Sequence, residues 1–311
     1  MTSAAFSKTA QAAPERKQVR FWNSRTQKME DEAIFGEAPL RWLYESTLGR
    51  ALTDHLLSRS FISRAYGALQ ETSFSAGKIE GFVRDFKIDL SEYEPGPWKS
   101  FNEFFIRKFR EGIRNFPQAA QTFGAPAEAR YLAFEKLDPA QRFPVKGIAL
   151  TASELLGSAE KAAPFVGGPA WIARLCPVDY HRYHYPDSGQ TLDSYSLHGK
   201  LHSVSPIALH AKPDVLITNE RRVAILETEH FGKIAYVEIG ALNVGRIVQS
   251  HPEATAFKRG QEKGYFLFGG SSAVILGEPG RWKLDPAMLE RSLQGIETWV
   301  ALGTPLAERT R

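Results

Sequence analysis

The hydrophobic pattern of this chain changes near residue 120. Before that point apolar residues recur at three- and four-residue spacing, as in amphipathic helices, and breaks such as the Glu-Pro-Gly-Pro segment at 94–97 separate them. The predicted helices cover residues 39–57, 60–70, 76–85 and 100–112. From about Pro126 onward, short runs of β-branched and aromatic residues are typical of strands instead. The pattern predicts an α+β protein, with N-terminal amphipathic helices followed by a mainly antiparallel, β-rich core.

The strand-like runs are short and are separated by turn residues. They lie at 171–175, 215–218, 222–227, 234–238, 245–248, 264–268 and 273–276. Two short helices are expected nearby, one beginning at 153–156 and one at 286–295 with Asp285 as its N-cap. We divide the chain into three regions: a disordered tail at 1–20, a helical region at 21–120 that could face a membrane, and the β-rich core at 121–311.

Composition limits the partners and the covalent links that this chain can have. With 311 residues and 43% hydrophobic composition, the chain can bury a full core. Its 39 basic and 35 acidic residues give a formal charge of +4, which suits an anionic membrane surface and is too weak to argue for nucleic acid. Cys176 is the only cysteine, so an intrachain disulfide is excluded.

Membrane contact, if present, is expected to be peripheral. No run of 18 apolar residues exists, and the first twenty residues lack the apolar stretch of a secretory signal. Residues 39–69 combine apolar residues near helical spacing with several arginines, which would suit the lipid interface. The alternative is an ordinary amphipathic helix that packs on its own domain.

A Gly-Gly-Ser-Ser segment at 269–272 lies between two apolar, strand-like runs, 265–268 and 273–276. The hydroxyl of Ser271 can attack the preceding carbonyl, which Gly270 leaves open, and glycine tolerates unusual backbone angles. The N→O acyl shift gives an ester, and elimination across the serine breaks the chain and leaves a pyruvoyl group on the new N-terminus. Such a ketone can form a Schiff base with a substrate amine and accept the electrons released by decarboxylation. The segment is therefore compatible with a chain that makes its own cofactor.

Two other interpretations of this segment stay open. A glycine-rich kink between strands would look the same, and a serine hydrolase would keep Ser271 intact. The α/β-hydrolase order places the acid and the histidine after the serine. Because the last histidine is His251, that order is excluded, whereas an acid, histidine, serine order is retained.

Two histidines could supply the base. His181 and His184 lie three residues apart in a polar, aromatic segment flanked by Pro177 and Pro186, which argue against a long helix. Since a histidine titrates near neutrality, it can take the proton of Ser271 and later return one to a substrate carbon. A metal site is a weaker alternative, because a third histidine or a glutamate at helical zinc-site spacing is missing. A purely structural pair in a turn is a further alternative.

Taken together, the motifs resemble those of the phosphatidylserine decarboxylase family, in the same order, from about Phe21 to Leu302. Four segments carry the resemblance: 100–108 is similar to the family's SFNDFFxRK motif, 179–184 to DYHRxH, 237–245 to V-x-V-G-A-x-x-V-G, and 269–272 to the LGST or GGST processing site. The resemblance implies an α+β fold and a self-processing, pyruvoyl-dependent enzyme.

The resemblance also implies roles for individual residues. Cleavage would fall between Gly270 and Ser271, giving a β chain of residues 1–270 and an α chain of 271–311. Ser271 would become the covalent pyruvoyl group. His184 would be the base for self-cleavage and a proton donor after carbon dioxide leaves, whereas His181 would position the substrate or support His184.

One departure concerns the acid of the family's triad. It belongs to a P-x-D-G-R motif, and the matching stretch at 126–130 reads Pro-Ala-Glu-Ala-Arg. We expect Glu128 to replace the aspartate, because it keeps the charge needed to orient His184. Its side chain is one methylene longer, and Ala129 lacks the easy positive φ of glycine. Slow maturation, another substrate and a role for Glu128 as a surface carboxylate are the alternatives.

The expected activity is conversion of phosphatidylserine to phosphatidylethanolamine by a lyase at the cytoplasmic side of a membrane. The expected partners are an anionic phospholipid membrane, the cleaved α and β chains, and a second copy of the chain in a homodimer, with no nucleic acid and no metal. Alternatives are a pyruvoyl-dependent decarboxylase of a free amino acid and a relative that never matures because Glu128 replaces the aspartate.

Overall fold

The computed structural model describes residues 18–136, 151–242, 246–252, 255–269 and 271–310. Five helices precede the main run of strands in this part of the chain: α1 Glu37–Glu45, α2 Thr47–Leu52, α3 Ser60–Gln70, α4 Ile79–Phe86 and α5 Phe101–Phe105. Five more follow: α6 Ala152–Leu156, α7 Ala159–Ala162, α8 Pro206–Ala211, α9 Val215–Thr218 and α10 Pro286–Leu293. The predicted α+β class is confirmed.

Sixteen strands lie within the same described ranges. The first eight are β1 Arg20–Asn23, β2 Lys28–Asp31, β3 Thr122–Gly124, β4 Ala129–Phe134, β5 Ala170–Leu175, β6 Arg182–His184, β7 Gly189–Leu197 and β8 Arg221–Thr228. The remaining eight are β9 Gly232–Ile239, β10 Ile247–Gln249, β11 Ala256–Phe257, β12 Glu262–Phe266, β13 Ser271–Gly277, β14 Trp282–Leu284, β15 Glu297–Val300 and β16 Pro305–Arg309.

Ten of these strands form one sheet in the order β11-β7-β8-β9-β13-β5-β4-β15-β1-β2. Its described pairs are antiparallel except β1 with β15, which run parallel. Two three-stranded sheets, β10-β12-β6 and β14-β16-β3, accompany it. Every residue of β13 is buried, because β5 and β9 flank it on both edges. The strand that begins at Ser271 therefore lies in the centre of the protein.

The N-terminal helices are shorter than the pattern predicts, although α3 matches the prediction at 60–70. The predicted helix at 39–57 breaks at Ser46, whose side chain accepts a hydrogen bond from Gly49 N and caps α2. A Cβ at Gly49 would lie 2.2 Å from the Trp42 carbonyl oxygen, so this close turn requires glycine. The prediction at 100–112 is too long, because beyond α5 the chain forms a bridge between Phe109 and Tyr93.

Most predicted strands are confirmed, with shifted ends. Those at 171–175, 222–227, 234–238 and 273–276 fall within β5, β8, β9 and β13, whereas those at 245–248 and 264–268 overlap β10 and β12. Gly245 lies outside the described residues. The late helix is confirmed, and the Asp285 side chain accepts hydrogen bonds from the backbone of Ala287 and Met288.

The prediction of a strand at 215–218 is wrong, because these residues form α9. Thr218 N donates to Asp214 O, and Asn219 N donates to Val215 O. A four-residue apolar run does not distinguish a buried strand from one turn of buried helix. Strands β1 and β2 were not predicted either, and they join the main sheet through β15. The division into a tail, a helical region and a core stays a prediction, since residues 1–17 lie outside the described part.

Candidate active site

Ser271 is the first residue of β13 and is fully buried. Its register partner on the neighbouring strand is Leu175. Gly269, two residues earlier, has a φ of 140°, which side-chain-bearing residues rarely adopt. Gly270 lies outside the described residues. The serine of the predicted cleavage position is thus buried at the start of a strand, two residues after a glycine with positive φ.

His181 is the histidine that reaches Ser271. Its Nδ1 lies 3.3 Å from Ser271 Oγ, and its Nε2 lies 2.9 Å from the carbonyl oxygen of Cys176. Because a carbonyl oxygen only accepts, Nε2 carries the proton and Nδ1 is left to accept from the serine hydroxyl. Burial lowers the pKa of His181 to about 3, against the opposing bond to Cys176, so the ring is neutral near pH 7.

Aromatic side chains enclose this pair. The ring of Phe105 stacks on His181 with centroids 3.8 Å apart, and Phe268 meets Phe105 edge to face at 5.0 Å. Asn102 Oδ1 accepts a hydrogen bond of 2.9 Å from Phe268 N, which fixes the backbone just before Gly269. Helix α5, which lies within segment 100–108, therefore forms one wall of the site.

His184 makes different contacts. Its Nδ1 lies 2.9 Å from the carbonyl oxygen of Gly260, and its Nε2 is 3.5 Å from the Tyr180 hydroxyl. Burial lowers its pKa, and the Gly260 bond and the charge of Glu262 oppose that shift. Both rings thus donate one N–H to a backbone carbonyl, but no hydrogen bond joins His184 to Ser271 among the described residues.

Glu128 is buried, and its carboxylate is engaged by Arg114. Arg114 Nε donates to Glu128 Oε2 at 2.8 Å, and Nη2 of the same guanidinium donates to Glu92 at 2.7 Å. Burial raises the pKa of Glu128, although Arg114 opposes this. The backbone nevertheless brings the two segments together, because His184 N donates to Pro126 O at 2.7 Å.

The expected set of Ser271, His184 and Glu128 is therefore only partly assembled. The structure joins Ser271 to His181, while the side chains of His184 and Glu128 bond to other groups. The carboxylate of Glu128 accepts from Arg114, and no hydrogen bond joins it to His184 among the described residues. The roles of these residues stay predictions.

Sequence reasoning did not single out two groups that hold the histidine segment. Arg107 is buried, and its Nη2 donates to the carbonyl oxygen of Val178 at 2.9 Å. Asp179 is buried as well and accepts a 2.6 Å bond from Arg130 Nη1. Arg107 lies in segment 100–108 and Asp179 begins segment 179–184, so two of the motifs that carried the resemblance were the available signals.

A cavity of about 210 Å³ lies beside Gly269 and Phe268. Helix α1 lines one side with Pro39, Leu40 and Leu43. Its lining is mainly apolar, with Glu32 and Arg174 among its polar members. A mainly apolar cavity therefore borders Gly269, two residues before Ser271.

Within the described residues, the structure contains no helix that is both long and apolar enough to cross a bilayer. No cluster of three or more His, Cys, Asp or Glu side chains suited to a metal ion occurs in that part of the chain.

Comparison with known proteins shows the family of this chain. The family model described as phosphatidylserine decarboxylase matches residues 101–293. A phosphatidylserine decarboxylase proenzyme from Clostridium tetani (strain Massachusetts / E88) is 37% identical over 94% of this chain and 98% of its own length. Proenzymes of the same name from Clostridium botulinum (strain Kyoto / Type A2) and Desulfitobacterium hafniense (strain Y51) are each 34% identical over 94% of this chain, covering 99% and 98% of their own lengths.

The family model and these relatives show an enzyme of the carboxy-lyase class. The chain belongs to the phosphatidylserine decarboxylase family.

Proposed function

We propose that this protein decarboxylates phosphatidylserine to phosphatidylethanolamine with a pyruvoyl group that it makes from its own Ser271. The observation that carries the proposal is the contact of 3.3 Å between the buried Ser271 hydroxyl and neutral His181, just after a glycine with positive φ. The names of the relatives, which are proenzymes, support a chain that is processed before it acts.

Maturation uses only groups of the chain and water. Ser271 Oγ attacks the Gly270 carbonyl carbon, its proton passes to a histidine, and the peptide C–N bond is replaced by an ester. Removal of the Ser271 α-proton breaks the Cβ–O bond and releases Gly270 as the carboxylate end of residues 1–270. Addition of water and loss of ammonia then leave a keto group at residue 271. The α chain has 41 residues, since 311 − 270 = 41.

The surroundings of residue 271 fit a pyruvoyl group, because they are fully buried and contain a neutral histidine. When formed, this group binds the substrate amine and takes up the electrons that decarboxylation releases. Burial excludes water from the reacting atoms and strengthens the electrostatic interactions around them.

The two histidines have different roles in this proposal. His181 orients the Ser271 hydroxyl and later the substrate, because both of its ring nitrogens are engaged in a dry site. A pKa of about 3 makes it a weak base near neutral pH. His184 is the base for self-cleavage, and catalytic hydrogen bonds often tighten only as the reaction begins. The segment of Glu128 supports His184 through a backbone hydrogen bond, from His184 N to Pro126 O.

A lipid substrate is favoured over a free amino acid by the apolar cavity beside Gly269. Helix α1 contributes Leu40 and Leu43 to this cavity and exposes Trp42 on its outside. Large apolar side chains are exposed along the same part of the chain: Trp42, Leu48, Leu56, Phe61, Leu69 and Phe74. We expect these side chains to enter the interface of an anionic membrane from the cytoplasmic side, with nearby arginines aiding attachment.

The test combines mass and activity. The purified wild-type chain should yield a 41-residue fragment whose N-terminus carries a keto group instead of an amine, and Ser271→Ala should stay as one chain. The cleaved enzyme should release carbon dioxide from vesicles that contain phosphatidylserine and not from free serine. Turnover by wild-type protein that is still continuous would contradict the proposal. A chain that remains uncut after long incubation would identify a relative that never matures.

A further inference from the structure

A tight turn at residues 176–179 joins β5 to the histidine segment, and the carboxylate of its last residue binds the backbone of its first. Asp179 N donates to Cys176 O at 2.9 Å, and Cys176 N donates to Asp179 Oδ2 at 2.7 Å. Pro177 occupies the second position of the turn, where its fixed φ is favoured. The backbone of Cys176 is therefore held at its oxygen by the turn and at its nitrogen by the Asp179 side chain.

The same oxygen sets the orientation of His181. Cys176 O accepts from His181 Nε2 at 2.9 Å as well as from Asp179 N. With Nε2 directed at this oxygen, Nδ1 faces Ser271 at 3.3 Å. The place that an aspartate takes in a serine–histidine–aspartate triad is thus taken here by a peptide oxygen.

Asp179 is anchored from two directions. Arg130 Nη1 donates to Asp179 Oδ2 at 2.6 Å, and Trp299 Nε1 donates to Asp179 Oδ1 at 3.2 Å. On the other side of the turn, Arg107 holds the Val178 carbonyl oxygen at 2.9 Å. Burial raises the pKa of Asp179, and the charge of Arg130 opposes this. Loss of any one of these bonds would free the turn on that side.

We propose that Asp179 is a positioning residue of this enzyme: its carboxylate fixes the backbone of Cys176, whose carbonyl oxygen directs His181 at residue 271. The proposal rests on the proposed function of Ser271 and His181. It gives Asp179 a task separate from that of Glu128, whose carboxylate is engaged by Arg114. Asp179 acts only through other groups, so it is not a catalytic residue.

The first test uses Asp179→Asn, which removes the negative charge and replaces one of the two acceptor oxygens by an NH₂ group. The variant therefore cannot accept from all three of Cys176 N, Arg130 Nη1 and Trp299 Nε1. We expect the first-order rate of self-cleavage to fall at least about ten-fold. The matched control is Glu238→Gln, which also removes a buried carboxylate from its partner, here Lys263, but touches neither the turn nor His181. Its cleavage rate should stay within about two-fold of the wild-type rate at temperatures well below its melting midpoint.

The second test reads the histidine directly. In the uncut Ser271→Ala protein, ¹⁵N NMR should show His181 with its proton on Nε2, assigned by loss of the signal in His181→Gln. Adding Asp179→Asn should change the tautomer populations of His181, and adding Glu238→Gln should not. Because this background never cleaves, the result is independent of whether the proposed function holds.

The outcomes separate clearly. Slower cleavage together with a changed His181 signal supports the proposal. A wild-type cleavage rate or an unchanged His181 signal in Asp179→Asn overturns it. Should Asp179→Asn fail to fold, Trp299→Phe removes one donor to Asp179, and cleavage slowed about two- to five-fold would support the same conclusion. An unchanged rate in a folded Trp299→Phe would overturn it in that case. Failure of wild-type protein to cleave would instead count against the proposed function.

Discussion

Two histidines of one short segment have different surroundings, and these surroundings separate their chemistry. His181 is neutral, stacked on Phe105 and bonded at both nitrogens. Among the described residues, the contact of His184 Nε2 is with the Tyr180 hydroxyl at 3.5 Å, so this nitrogen can still take a proton. The first histidine is suited to orienting a group, and the second to accepting a proton.

Replacing each histidine by glutamine tests this division. We expect His184→Gln to remain uncut, or to cleave at least about 100-fold more slowly, because the base is gone. His181→Gln should still cleave, although more slowly, and the cleaved protein should have lost most of its decarboxylation rate. Denaturing gels and carbon dioxide release measure the two steps separately. Maturation of His184→Gln at the wild-type rate would assign the base to His181.

Gly269→Ala tests the backbone of the turn. The φ of 140° at this position is strained for alanine, with a cost of about 1–3 kcal/mol. We expect Gly269→Ala to cleave more slowly than the wild type. We also expect the same replacement to lower the melting midpoint of the uncut Ser271→Ala protein. Gly280→Ala is the control for melting, because Gly280 also has positive φ (72°) and a Cβ there would meet nothing within 4 Å. An unchanged cleavage rate in Gly269→Ala would show that the turn does not need this backbone angle.

At the level of elements, a buried ion-pair network joins three strands of the main sheet, β4, β5 and β15, to the residue that follows β2. Arg174 on β5 donates to Glu297 on β15 at 2.9 Å and to Glu32, just after β2, also at 2.9 Å. Arg130 on β4 lies 3.1 Å from Glu32. Burial alone would raise the pKa of Glu32, but the charges of Arg174 and Arg130 lower it to about 2. The network thereby attaches the N-terminal hairpin to the core.

The lowered pKa of Glu32 predicts a pH dependence of stability. Because the folded-state pKa of about 2 lies below the ordinary 4.5, ionised Glu32 stabilises the folded chain above about pH 4.5. This contribution is lost as the pH falls from 4.5 towards 2. In urea unfolding of the uncut Ser271→Ala protein, Glu32→Gln should therefore be less stable at neutral pH and should lose less stability over this acid window.

The comparison needs a control, because other buried acids act in the opposite direction. Burial raises the pKa of Glu128 and Asp179, so the difference between two variants is more informative than the curve of one protein. Glu71→Gln removes a half-exposed carboxylate that lies 3.9 Å from Arg246, and surface pairs of this kind contribute little. Its acid profile should follow the parent. An identical profile for Glu32→Gln would rule out the stabilising role of the network.

At the scale of the whole molecule, the exposed apolar side chains lie mainly before residue 75. Phe74 is 90% exposed and Leu48 is 70% exposed. Peripheral attachment to a membrane requires such side chains on the outside, since the described residues contain no spanning helix. The cavity beside Gly269 is lined by α1, which belongs to the same region.

A triple replacement tests this surface. Leu48→Ser, Phe61→Ser and Phe74→Ser together should weaken flotation with anionic vesicles at least about ten-fold, because each removes apolar area from the interface. Leu293→Ser is the matched control, because Leu293 is 80% exposed at the end of α10, in the C-terminal part of the chain. Self-cleavage should stay normal in both variants. Equal flotation of the triple variant and the wild type would exclude this surface as the attachment site.

The sequence alone predicted the strands with strong apolar runs, including β5, β8, β9 and β13. It failed where local pattern is ambiguous, as at 215–218, and where a strand is short and polar, as in β2. Ser271 and the two histidines were recognised because residue type alone indicates which chemistry their side chains can perform. Their contacts were not predictable, because Ser271 and His181 lie 90 residues apart and meet only through strand pairing.

What the sequence determined by itself was the family, the fold class and the serine on which the proposed chemistry depends, since these follow from local residue types and their order. Only the tertiary structure decided that His181 reaches Ser271 and that Arg114 binds Glu128. It also decided that Asp179 holds the turn between β5 and the histidine segment. The physical reason is that hydrogen bonds and ion pairs act over a few ångströms. Which groups come that close is set by packing of the whole sheet.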